Sequence, residues 1–148
     1  MHLEGQFSVK APREEVYAFL TDPHSVSRHM PDVKEVQIED ADHFTVKARV
    51  GISHIKGLMS MKLAITDRQP PISTTVTGKG TGLASVVDMV TSFTLETSES
   101  GDTLVKWRGE VNVSGKMAAF GSQGLLDRMA TKNIDTFIDG IKRGIEKL

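Results

Sequence analysis

The chain has 148 residues, enough for one domain with a substantial core and too few for two. Its 18 basic and 19 acidic residues are interspersed and leave a formal charge of −1, which gives no electrostatic hold on a phosphate backbone and argues against nucleic acid as a partner. The lack of cysteine excludes disulfides, thiolate catalysis and cysteine-ligated metals, and fits a reducing compartment.

The first residues alternate, with Leu3, Gly5, Phe7 and Val9 on one face and His2, Glu4, Gln6, Ser8 and Lys10 on the other, the period of a half-buried strand. Glu4 and the absence of an early apolar run speak against a signal peptide, and no segment reaches the roughly 20 apolar residues of a membrane span. The expected location is the cytoplasm, with peripheral contact at the inner face of the membrane still open to it. Pro12, followed by Glu14 and Glu15, starts a short helix with Val16, Phe19 and Leu20 on one face. Tyr17, on the same helix, either orients a ligand carbonyl at a cavity mouth or packs at the helix edge with its hydroxyl in water. Asp22 and Pro23 are an N-cap and first helical residue, opening a second short helix that Pro31 ends.

From Val33 to Val113 the alternation is nearly continuous. Phe44, Val46, Ala48 and Val50 share a face, and after a turn at Gly51 so do Ile55, Gly57, Met59, Met61, Leu63 and Ile65. "DRQPP" reads as a turn; Ile72, Thr74, Val76 and Gly78 then lead to the glycines of "GKGTG". Leu83, Ser85, Val87, Met89, Thr91, Phe93 and Leu95 form a further strand, "SESGD" a hairpin turn, and Val105, Trp107, Gly109, Val111 and Val113 the last strand. A single helix is expected from Gly115 or Lys116 to Lys147. Its second half carries a regular stripe of Ile134, Phe137, Ile138, Ile141 and Ile145, expected to act as a clamp. Its first half is softer, with Gly121 and Gly124 on one face, leaving room either for the sheet or for a ligand.

This order predicts a single α+β domain over residues 1–148: a curved antiparallel sheet of about seven strands wrapped around a long C-terminal helix, with two short helices after the first strand. The inner face mixes Met59, Met61, Met89 and Met117 with Gly57, Gly78, Ser85 and Gly109. Methionine adapts to irregular shapes and glycine leaves volume, so the mixture suits a deformable apolar cavity as well as a closed core with glycines at strand bends. The candidate ligand contacts are Tyr17 and Met30 at the mouth, and Phe44, Met59, Met61, Val87, Met89, Phe93 and Trp107 on the sheet. Met117, Phe120, Gly121, Gly124, Leu125 and Met129 are the candidates from the start of the long helix.

No catalytic residue, metal site or cofactor is expected. His2, His24, His29, His43 and His54 lie at termini, turns and outward positions without ligand spacing, and "GKGTG" lacks the context of a phosphate loop. A cyclase or hydrolase would need an inward acid–base pair, and only Asp88, if a bulge inverted its strand, offers one with a histidine. Ala84, Val86 and Val90 make the opposite face of that strand apolar. They suit a surface for a second copy or another partner protein, a reading in which the interior is filled.

Two stretches carry a resemblance. The opening "MHLEGQFSVKAPREEVYAFLTDPHSVSRHMPDVKEV" and the closing "VNVSGKMAAFGSQGLLDRMA" resemble the carbon monoxide dehydrogenase CoxG family, within the START and Bet v 1-like (SRPBCC) superfamily. The run A-P-x-E-x-V-Y-x-F-L-x-D-P is shared across the superfamily, whereas V-S-G-K-M-A-x-F-G-S is more particular to CoxG proteins. The resemblance implies a helix-grip fold with an apolar tunnel and a non-catalytic accessory role beside a molybdenum-containing carbon monoxide dehydrogenase, a molybdenum hydroxylase, whose quinone it would handle. It implies a hydrophobic ligand, a quinone or a lipid. Two features depart from the family: Asp32 stands where a glycine usually follows the proline, and longer members continue into a tail that can anchor at the membrane, whereas these 148 residues end with the helix. The binding domain is what the resemblance carries over.

Overall fold

A computed structural model describes residues 1–147, except for the side chains of residues 121–123. The elements are β1 (His2–Val9), α1 (Arg13–Leu20), α2 (Pro23–Arg28), β2 (Val33–Ile38), β3 (His43–Ile52), β4 (Ile55–Gln69), β5 (Ser73–Gly82), β6 (Ser85–Thr97), β7 (Thr103–Gly115), a 3-10 helix (Lys116–Gln123) and α3 (Leu125–Glu146). Seven strands form one antiparallel sheet in the order β1-β7-β6-β5-β4-β3-β2. Hairpins dictate this order from β2 to β7, and β1 closes onto β7. Register carries the alternation across the sheet: Phe44 lies opposite Leu63, Leu63 opposite Gly78, Gly78 opposite Met89 and Met89 opposite Val111. The apolar positions of successive strands therefore meet on one inner face, as the period-2 pattern predicts.

The reversals differ in detail from expectation. The β3–β4 turn is Ser53–His54, between the paired Ile52 and Ile55, and Gly51 stays inside β3 opposite Lys56. The strand β4 runs through "DRQ" to Gln69, with a register shift between Thr66 and Gln69. Between β5 and β6 the central residues Leu83 and Ala84 both have positive φ, 53° and 54°, the backbone sign of the type I′ hairpin turn.

The largest correction concerns the long helix. It does not run unbroken from Gly115: a 3-10 segment (Lys116–Gln123) precedes α3, and Gly124 between them is left-handed, with φ 71°. A Cβ on Gly124 would meet only Arg128 Nη1, at 4.0 Å, so backbone conformation rather than close approach explains the glycine. Gly124 thus supplies a break in the helix and not a small position on its face. Gly115 has φ 86°, and a Cβ there would lie 2.3 Å from the Ala84 carbonyl oxygen and 2.8 Å from Ser85 Cα. The surroundings of Gly121 lie outside the described residues.

Packing concentrates in three clusters. One joins α1, α3, β1, β6 and β7 through Val9, Val16, Leu20, Leu95, Val105, Ile141 and Ile145. A second joins the β3–β4 tip to the 3-10 segment and the start of α3 through Ile52, Ile55, Met59, Met117 and Leu126. The third holds Phe44, Val46, Leu63 and Ile65, with Val26 and Met30 from the α2 segment packed onto it. The backbone of α3 comes close to β1 at one margin of the sheet and to β3 at the other.

Candidate functional site: an apolar cleft between sheet and helix

Around the three clusters many inner-face apolar side chains are only half-buried, most of them packed against a cluster on one side. On the sheet these are Met61, Val76, Val87, Met89, Phe93, Trp107, Val111 and Val113; on α3 they are Leu125, Met129, Ile134, Phe137 and Ile138. Apolar residues on the inner face of a sheet and on the facing stripe of its covering helix would be fully buried if helix and sheet closed on each other. Their residual exposure leaves apolar surface accessible there, which makes the space between helix and sheet a candidate cleft. Its floor is adaptable, because the space above the glycines is taken by the ends of flexible side chains. A Cβ on Gly78 would meet Met61 Cε at 3.2 Å and Met89 Cγ at 2.9 Å, and one on Gly80 would meet Met61 Sδ at 3.2 Å. The thioether of Met61 therefore lies across two glycines and can move without shifting backbone. Elsewhere the vacancies are filled: Leu83 occupies the space over Gly57, with Cδ2 2.5 Å from where a Cβ would be, and the Trp107 ring lies over Gly5.

The candidate contacts separate accordingly. Met61, Val87, Met89, Phe93, Trp107, Leu125 and Met129 lie half-buried along the cleft, with Phe120 at its β3–β4 end, where its ring meets His54 edge-on. Phe44, Met59 and Met117 are 1%, 3% and 1% exposed, so they pack beneath the surface rather than line it. Tyr17 is corrected outright. It is buried in the first cluster, and its hydroxyl donates to the Ser73 carbonyl at 3.0 Å, which leaves no free hydroxyl to orient a ligand. The clamp is also shorter than expected: Ile141 and Ile145 are buried with Phe137 packed half-buried against their cluster, whereas Ile134 and Ile138 are half-buried.

The segment at α2 bridges the mouth. Asp22 caps the helix by accepting from the His24 amide, and Val26 and Met30 pack onto the sheet-side cluster that includes Met61 and Met89. On the other side His29 rests on α3. Its Nε2 lies 2.7 Å from the position of a Gly144 Cβ and its Nδ1 3.1 Å from that of a Gly140 Cβ, and its ring tilts against Phe19 at 5.6 Å. Two glycines four residues apart open a saddle on one helix face. "GIKRG" is the sequence signal for this seat, and reading the histidines as outward residues missed it. Loss of solvation, and then the charges of Arg28 and Arg143, lower the His29 pKa, so the seated ring favours the neutral form. Asp32, just beyond, has φ 56°. The loop therefore keeps a glycine-type conformation although the side chain is aspartate, which tolerates it better than most.

The outer surface carries the paired charges. His2 contacts Glu110 and Glu4, and His43 contacts Asp40 at 2.8 Å; in both cases the carboxylates raise the imidazole pKa. Arg68 ties three segments together, donating to Asp42 at 2.7 Å and to the carbonyls of Thr21 and Ala41. Asp88 is exposed, opposite Lys79 and Asn112, in a register without a bulge. The inward acid that a cyclase or hydrolase would need is therefore not supplied by Asp88. Val90 is 47% exposed, but its cross-strand neighbours are Thr77 and Glu110, so the outer face of β6 is not a continuous apolar patch. Among the described residues no three His, Cys, Asp or Glu side chains gather as a metal site, and no helix is long and apolar enough to cross a membrane.

Solved structures share this architecture. A conserved protein from Geobacillus kaustophilus is 26% identical, with a TM-score of 0.90 over 99% of this chain and 96% of that one. An aromatase/cyclase from Streptomyces sp. R1128 is 14% identical, with a TM-score of 0.70 over 99% of this chain and 94% of that one. A START superfamily protein from Mycobacterium smegmatis is 11% identical, with a TM-score of 0.69 over 99% of this chain and 97% of that one. At the latter two identities the likeness is one of fold. No curated protein matches the chain in sequence. The family model for the CoxG subunit of carbon monoxide dehydrogenase matches residues 5–146. From β1 through α3 this is a START/Bet v 1-like helix-grip domain, and the chain belongs to the carbon monoxide dehydrogenase CoxG family.

Proposed function

We propose that the protein is a non-enzymatic carrier that binds a hydrophobic small molecule, a quinone or a lipid, in the cleft between α3 and the sheet. The observation that carries this reading is the set of half-buried apolar side chains that flank the packed clusters on the inner face, with the Met61 thioether lying over Gly78 and Gly80. Burying apolar ligand surface there contributes roughly 25 cal/mol per Å². A floor of movable thioether accommodates different shapes more readily than branched side chains do. Membership of the family supports an accessory role beside a molybdenum-containing carbon monoxide dehydrogenase, with the carrier in the cytoplasm and in transient contact with the inner face of the membrane.

Organic extraction of the purified protein followed by mass spectrometry tests the binding. The expected result is one apolar compound in near-stoichiometric amount. A protein that yields no such compound, and that binds neither added quinone nor added fatty acid, contradicts the proposal. The accessory role is tested separately by affinity isolation of the tagged chain from a host that makes such a dehydrogenase. Recovery of the dehydrogenase is expected, and its absence removes that part alone.

A further inference from the structure

We infer that one end of the domain, where the β3–β4 and β5–β6 turns meet the 3-10 segment, docks on an anionic lipid surface. The inference rests on the carrier reading and deepens it, naming the face of the folded domain that meets a membrane and the headgroup charge that face needs.

The charges of the chain balance in number and separate in space. From His43 to Thr66 and from Ser73 to Val87 the sequence holds Lys47, Arg49, Lys56, Lys62 and Lys79 and no aspartate or glutamate. Carboxylates gather in the connections at the other end of the sheet, with Glu39, Asp40 and Asp42 between β2 and β3 and Glu99 and Asp102 between β6 and β7. The antiparallel order makes this segregation spatial, because the β3–β4 and β5–β6 turns share one end and the β2–β3 and β6–β7 connections share the other. A net charge near zero thus becomes a field directed along the strands.

The basic end is contiguous. The His54 ring of the β3–β4 turn meets Phe120 edge-on at 6.2 Å, Leu83 lies over Gly57, and the Lys116 amide donates to the Ala84 carbonyl at 3.0 Å. On the outer face Arg49 stands opposite Leu58, with Lys56 two residues from Leu58 on the same strand, and Lys116 opens the 3-10 segment. These three cations are exposed, and among the described residues none of them forms an ion pair. Lys47, Arg68 and Lys106, by contrast, are each matched to a carboxylate. Leu58, beside Arg49 and Lys56, is 55% exposed.

A single apolar side chain on a surface needs no explanation. Unpaired cations around an exposed leucine are different, because together they supply both attractions of an interfacial surface: headgroup phosphates meet the cations while the leucine enters the acyl boundary. A soluble polyanion would meet the cations and leave Leu58 in water. Docking by this end also directs the carboxylates of the opposite end away from the anionic surface, and it brings Phe120, at the same end of the candidate cleft, toward the bilayer.

Cosedimentation with vesicles of phosphatidylcholine alone, and of phosphatidylcholine mixed with phosphatidylglycerol, tests the docking. The protein is expected to bind the mixed vesicles about tenfold more tightly than the neutral ones, and to leave them as salt rises from about 0.05 to 0.5 M. Arg49→Gln combined with Lys56→Gln should weaken binding to the mixed vesicles about twentyfold. Lys10→Gln combined with Lys147→Gln makes the same change in net charge at the opposite end, where the Lys10 amide meets Glu146, and should leave binding unchanged. Leu58→Ser should weaken binding about fivefold without altering its salt dependence. Equal binding to both kinds of vesicle, equal losses in the two double variants, or full binding by Leu58→Ser overturns the inference. None of these outcomes bears on the cleft, whose ligand is sought in protein purified without vesicles.

Discussion

The two ends of α3 are packed differently. At the C-terminal end Ile141 and Ile145 are 0% and 1% exposed and interlock with Val16 and Leu20 of α1 and Val9 of β1. Further toward the N-terminus Met129, Ile134 and Ile138 of the same stripe stay half-buried. The same amphipathic stripe thus gives stability where helix, α1 and sheet close together and leaves apolar surface accessible where they do not. Apolar periodicity alone does not distinguish the two cases, because it reports which face points inward and not how far away the opposite wall stands.

Substitutions can break this division. Ile141→Ala should cost about 4 kcal/mol in unfolding free energy while the folded protein binds its ligand unchanged, as measured by denaturant titration beside calorimetry. Gly115→Ala should cost about 3 kcal/mol, because a left-handed backbone and unyielding Ala84 and Ser85 main-chain atoms oppose the new methyl together. Met61→Ala should cost about 1.5 kcal/mol, less than Ile141→Ala, and yet alter ligand affinity the more. If the two variants lose stability equally and neither alters affinity, the contrast between the ends of α3 is wrong. Gly124→Ala should cost about 1 kcal/mol, the conformational penalty alone, since no steric clash accompanies it.

The smallest expected effect is one of pH, and it sharpens the comparison at the mouth. Burial and two arginines lower the His29 pKa, so the seated contact is fully present above the ordinary imidazole pKa of about 6.5. As pH falls below that value a freed ring takes up its proton first, and the seat is lost progressively through the lowered pKa. His2 and His43 act in the opposite sense: their carboxylate partners raise their pKa, and the contribution present at low pH fades as pH rises through the raised values. Acid should therefore loosen α2 from α3 while the β1–β7 edge tightens. Hydrogen exchange at pH 5.5 and 7.5, corrected for intrinsic rates, should show faster opening of α2 at the lower pH. In His29→Leu that difference should vanish.

The sheet was legible because a period of two and short hairpins leave little freedom: once Phe44, Met61, Met89 and Val111 are assigned to one face, antiparallel register brings them together. The site was only partly legible, for reasons of distance along the chain. Tyr17 looked free because its acceptor, the Ser73 carbonyl, lies 56 residues away. Gly57 looked like open volume, but the side chain that fills it is Leu83, from the turn at the far end of the next strand. Gly124 looked like a helix-face residue because a 3-10 segment and an α-helix space their apolar residues too similarly to be told apart over two turns. Asp32 shows the converse, a glycine-type backbone conformation carried by a residue with a side chain.

Methyl NMR of methionine-labelled protein addresses the cleft most directly, because its methionines sample both environments. On addition of 2-methyl-1,4-naphthoquinone or oleate, the ε-methyl signals of Met61, Met89 and Met129 should move first and furthest, while those of Met59 and Met117 in the packed cluster change little. Shifts in none of the five, or shifts as large at Met59 and Met117 as at Met61, would contradict binding in the cleft.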